Sequence, residues 1–185
     1  MESGSPEPSR RSGAPATTET ARETPNDARP LPASYLVTVV DEQTHPVDRG
    51  RLERLAAHVL AAREVPRELE LSISCVEPAH IAELNEAYLD GTGATDVLAF
   101  PIDAPQDVTP GVPGLLGDIV LCPAVAERQA PEHGRTVSDE MDLLLVHGIL
   151  HLLGHDHAEP AERAEMFALT DTLLAGFATT AAHLP

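Results

Sequence analysis

The sequence contains no lysine: all 12 of its basic residues are arginine, set against 30 acids for a formal net charge of −18. That imbalance excludes a polycation holding phosphate over its whole surface, though not a small local site. Aromatic residues make up 3% of the chain, namely Phe100, Phe167, Phe177, Tyr35 and Tyr88, so aliphatic side chains must fill the core. Cys75 and Cys122 each sit inside an apolar run. Two cysteines are too few for a disulfide framework and lack the paired short spacing of a zinc finger. They read as small core residues in a reducing compartment. No apolar stretch reaches 18 residues, so nothing is expected to span a membrane. The N-terminus shows no apolar core after its charges, hence no visible secretory signal. The expected location is the cytoplasm.

What is present suffices for one domain and a tail. Residues 1–32 hold six prolines and four each of serine, threonine and alanine, with almost no large apolar side chain. Such a stretch cannot bury enough surface to offset its ordering entropy, so disorder is expected there. It carries five acids and four arginines, leaving 25 acids and 8 arginines to residues 33–185. The acidity belongs to the folded domain.

From residue 34 periodicity takes over. Strands are predicted at residues 35–40, 69–76, 96–100 and 116–122. A helix over 48–64 carries Leu52, Leu55, Ala56, Val59 and Leu60 on one face. Pro78 opens a helix to about residue 89, and Pro123 opens a short one that Pro131 ends. Thr136 with Asp139 three residues on predicts a capping box for a long apolar helix reaching residue 153. Pro160 opens the last helix, with Phe167, Thr170, Leu174 and Phe177 on one stripe. The order βαβαββααα, with no internal repeat, predicts an α+β domain: a four-stranded mixed sheet with packed helices.

The chemistry concentrates in His147-Gly148-Ile149-Leu150-His151-Leu152-Leu153-Gly154-His155-Asp156-His157, where four of the nine histidines fall within eleven residues. His147 and His151, at i and i+4, share a helix face and can point at one ion. An unbroken helix would put His155 about 12 Å along the axis from His147, too far for one ion. The chain must therefore turn, and Gly154 can adopt the left-handed conformation that ends a helix. After that turn either His155 or His157 could approach. Core histidines satisfied by hydrogen bonds, or a closed structural zinc site with a fourth ligand such as Cys122, are the competing readings.

The spacing His-x3-His-x2-Gly-x2-His resembles that of the metzincin zinc proteases, whose final histidine is the third ligand. The resemblance implies a zincin-like metal site at the end of a long helix, with His157 as ligand and His155 facing elsewhere. Metzincins place glutamate directly after the first histidine as general base. Here that position is Gly148, so the metal chemistry survives and the peptidase signature does not.

The whole histidine stretch resembles the signature of the YbeY endoribonuclease family, which shows HGxLHLxG, then Tyr or His, then Asp-His. Two further stretches are similar to the same family: Leu84-Asn85 through Thr95-Asp96-Val97-Leu98-Ala99-Phe100-Pro101, and Leu116-Gly117-Asp118-Ile119-Val120-Leu121-Cys122-Pro123. The likeness implies a single-strand-specific, zinc-dependent endoribonuclease acting in 3′-end maturation of small-subunit ribosomal RNA and in ribosome quality control. It implies one Zn2+ ion on His147, His151 and His157, and partners among ribosomal RNA and small ribosomal subunit components, with neither membrane nor DNA. The expected chemistry is attack on a phosphodiester by metal-bound water, and the general base is not identified. Many family members carry Tyr-Arg-Gly where this chain has Tyr88-Leu89-Asp90, so the cleft arginine is replaced by Leu89. Arg128 and Arg135 are substitutes to weigh against solvated helix-end residues. His45, His58, His80, His133 and His183 read as surface histidines, and Asp118 as solvent-facing by strand alternation. Asp156 could orient an imidazole or cap the turn. An alternative to the nuclease is a metal-stabilised ribosome-assembly binding factor with little nuclease activity. A third reading is a metal hydrolase with another substrate, better suited to an anionic surface.

Overall fold

The computed structural model describes residues 34–155 and 159–181. The expected tail, Asp156, His157 and His183 lie outside them. The elements are β1 (Val37–Asp41), α1 (Arg49–Ala62), β2 (Leu69–Cys75), α2 (Pro78–Tyr88), β3 (Val97–Pro101), β4 (Gly114–Leu121), α3 (Pro123–Gln129), α4 (Val137–Leu152) and α5 (Pro160–Ala181). A single 3-10 turn at Pro105–Asp107 interrupts the loop before β4. This is the expected order, and the sheet is mixed as expected. The strands lie β1-β2-β4-β3, parallel between β1 and β2 and between β2 and β4, antiparallel between β3 and β4. A helix crossover makes the first pair parallel, and a loop without one lets β3 fold back beside β4.

Alternation sorts the two faces of the sheet. Leu69, Leu71, Ile73 and Cys75 of β2 are buried, and with Ile119 and Leu121 they meet the apolar sides of α1 and α4. All five apolar residues predicted for α1 are buried there. Leu145, Ile149 and Leu150 of α4 are 0% exposed, and each contributes about 1.5–3 kcal/mol by burial. The opposite face carries a smaller cluster that includes Val76, Ile81, Leu98, Val120 and Cys122. It leaves Asp118 exposed, as alternation predicted. There, a shallow cleft of about 370 Å³ is lined by residues that include His80, Tyr88 and Asp118.

Both cysteines are free and buried. Burial pushes the Cys75 thiol up to about 12 and raises that of Cys122 as well, so neither is a ready thiolate. Cys122 sits in the smaller cluster, which contains no residue of the histidine helix, and it does not line the histidine cleft.

The last helix departs from expectation. Its buried stripe is Met166, Thr170, Leu173 and Phe177, not the one through Phe167 and Leu174. Phe167 is 49% exposed. The two stripes share Thr170 and Phe177, and helix rotation by a fraction of a turn decides between them.

Candidate functional site

Helix α4 is fixed at both ends by its own sequence. At the start, the Asp139 N–H donates to Thr136 Oγ1 at 3.1 Å while that hydroxyl donates to Asp139 Oδ2 at 2.7 Å. The expected cap is present, with the carboxylate meeting the hydroxyl. At the end, Gly154 takes φ +85°, its N–H donates to the His151 carbonyl, and the His155 N–H donates to the Leu150 carbonyl, both at 3.0 Å. Those two bonds form a Schellman stop. The helix therefore ends where the metal argument needed it to, and His155 is carried off the histidine face.

His147 and His151 remain on one face, half-buried. Their Nε2 atoms stand 3.1 Å apart, with the rings edge to face at 4.6 Å. Two imidazoles bonded to one tetrahedral zinc at 2.0–2.1 Å would hold their nitrogens about 3.3 Å apart. The donor pair fits a single ion of that kind. Among the described residues no group of three or more His, Cys, Asp or Glu could hold an ion, and the expected third ligand, His157, lies outside them.

The pair lines a cleft of about 550 Å³ between α4, β3 and α5. Phe167 forms part of its wall, its ring stacked against His147 at 6.5 Å and 28°. That position explains why Phe167 is not in the core stripe. Gly148 also lines the cleft. A Cβ there would meet Ile119 Cγ2 at 3.2 Å and Val97 Cγ2 at 3.3 Å, so any side chain at this position would press Ile119 and Val97 by a few tenths of an ångström.

Four polar residues also line the cleft: Arg135, one of the two candidate substitutes for the cleft arginine, and Asp96, His133 and Glu140, to which the sequence reading gave no role there. Asp96 Oδ1 accepts from the Val97 N–H at 2.8 Å and from Thr95 Oγ1 at 3.2 Å. Glu140 is 1% exposed. Its Oε1 lies 2.9 Å from His133 Nδ1, and its Oε2 accepts from an Arg135 NH group at 3.1 Å. His133 is exposed, as expected of a surface histidine, and it also lines the cleft. Glu140 precedes His147 by seven residues, two turns of the same face, and that spacing was a readable signal. Arg128 is exposed on α3 and does not line the cleft, whereas Arg135 does. Leu89, at the C-cap of α2, is 52% exposed and also lies outside the cleft lining.

Fold and site together define an α+β domain presenting two imidazoles of one helix, nitrogen to nitrogen, in a cleft open to solvent. The family whose sequence profile matches residues 38–178 is described as Endoribonuclease YbeY, and the chain belongs to it. A protein of Thermobifida fusca named Endoribonuclease YbeY is 48% identical over 144 residues, covering 76% of this chain and 93% of its own. One of the same name from a Nocardioides species is 46% identical over 147 residues, with 76% and 97% covered. The solution structure of TM1509 from Thermotoga maritima is similar, with a TM-score of 0.54 and 27% identity over 77% of this chain and 89% of that one.

Proposed function

We propose that this chain is a metal-dependent endoribonuclease that cuts single-stranded RNA, serving 3′-end maturation of small-subunit ribosomal RNA and ribosome quality control in the cytoplasm. The observation that carries the reading is the Nε2–Nε2 approach of His147 and His151 at 3.1 Å inside a solvent-open cleft, in a chain belonging to a family described as an endoribonuclease. His147, His151 and His157 would hold one zinc ion. Bound there, zinc would supply Lewis acidity, activating water and neutralising charge at a phosphoryl group. The chain's own residues do the rest: Phe167 shields one side of His147, and Gly154 ends the helix three residues after His151. No helix among the described residues is long and apolar enough to cross a membrane.

A second reading has its own support. With a net charge of −18 and Leu89 outside the cleft lining, a metal-stabilised binding factor for ribosome assembly, with little nuclease activity, is consistent with the same site. One experiment separates the two. Zinc-loaded wild type and His151→Ala are incubated with a single-stranded RNA carrying the 3′ precursor of the small-subunit ribosomal RNA, and the product ends are mapped. Cleavage by wild type alone is expected. No cleavage by the zinc-loaded wild type would favour the binding factor.

A further inference from the structure

An acidic domain that handles RNA needs a local cation, and the histidine cleft holds one in a built setting. Among the described residues lining the cleft, the arginine is Arg135. It does not wave in solvent from a helix end. The carboxylate of Glu140, buried to 1% exposure, takes one of its N–H groups at 3.1 Å and holds His133 at 2.9 Å with its other oxygen. Guanidinium offers five donors in a rigid fork and carries its charge at every working pH. With one N–H engaged by Glu140 and the Arg135 side chain still 39% exposed, donors remain for a second anion on the cleft side.

We propose that Arg135 is the phosphate-contacting cation of this cleft, held in place by the buried carboxylate of Glu140, and that it grips a backbone phosphate of a single RNA strand flanking the scissile one. The proposal rests on the endoribonuclease reading. Glu140 and His147 are seven residues apart on α4, about 10.5 Å along its axis, so the gripped phosphate is not the one at the histidines. Arg135 then binds substrate without touching the reacting atoms, and Glu140 is a positioning residue acting through it.

The test uses the full chain and a fluorescein-labelled single-stranded oligouridylate. Binding is followed by anisotropy over a range of salt in a His151→Ala background, so that no substrate is consumed. Cleavage kinetics are run in parallel on the otherwise wild-type chain. Arg135→Ala should weaken binding about tenfold, the order expected of one charge-assisted contact. It should also reduce the salt slope by about 0.7, the share of one single-strand phosphate. In cleavage it should raise KM with kcat little changed, and Arg135→Lys should recover most of the slope. Glu140→Gln, which keeps the arginine but loosens its hold, should raise KM while keeping the slope. Unchanged affinity and slope in Arg135→Ala, even with a lowered Tm, would leave the arginine as a mere counterion to Glu140 and overturn the proposal. Failure of the His151→Ala parent to bind RNA would overturn it too. If the parent binds with the predicted loss of slope in Arg135→Ala, and the zinc-loaded wild type cuts nothing, the contact stands and the nuclease reading falls.

Discussion

At the scale of single residues, two histidines that look equivalent in the sequence are separated by one backbone turn. The His155 N–H is spent on the Leu150 carbonyl at 3.0 Å, and its ring is not among the residues lining the cleft. His157 comes two residues later in the sequence. On the proposed set of three imidazole ligands, losing one removes a bond the ion cannot replace from solvent without losing affinity. His157→Ala should therefore purify with little zinc, and His155→Ala should keep most of it. Elemental analysis of both, after the same dialysis, checks this, and the reverse pattern would overturn the ligand assignment.

At the scale of elements, the stop of α4 does more than end a helix. Gly154 sits at φ +85°, where an L side chain is strained by about 1–2 kcal/mol. Nothing lies within 4 Å of a Cβ built there, so conformation alone carries the cost. Gly154→Ala should destabilise the chain by that amount in urea denaturation and, on the proposed ligand set, weaken zinc binding, because the turn lies between His151 and His157 in the sequence. A variant of unchanged stability would mean that the turn tolerates a side chain and does not set the site. This device was legible beforehand because it is local: the histidine spacing demanded a turn, and glycine stood at the only place for it. The stripe of α5 was less legible. Met166, Thr170, Leu173 and Phe177 and the alternative through Phe167 and Leu174 are both apolar at helical spacing, and the choice is made by packing against α1 and α4 and by the cleft that claims Phe167.

At the scale of the whole molecule, the order and kind of the elements followed from short-range periodicity, and so did the placing of Glu140 on the histidine face, but its partnership with His133 and Arg135 did not. His133 and Arg135 precede α4 in a loop, and only the return of that loop onto the helix brings them to Glu140. The same is true of the ion pair that ties three helices together. Arg51 of α1 donates from Nε to Asp142 Oδ2 at 2.9 Å and from its NH2 group to the same oxygen at 2.6 Å, while its guanidinium lies 5.4 Å from the centre of the Phe177 ring on α5. Burial pushes the Asp142 carboxyl above its ordinary range although Arg51 draws it down, and Asp139 and Asp48 add to the rise. A carboxyl raised in the folded state binds its proton more tightly there than in the unfolded chain. Its contribution to stability therefore falls as pH rises from the unfolded value of about 3.9 through the raised folded one. Arg51→Met removes the partner and raises the carboxyl further. The expected cost near pH 8 is about 2 kcal/mol, less than for a fully enclosed pair because Arg51 is partly solvated. At a lower pH, where the raised carboxyl takes up its proton, the cost should shrink. Urea denaturation of wild type and variant at the two pH values measures the difference, and an equal cost at both would show that Asp142 stays ionised without Arg51.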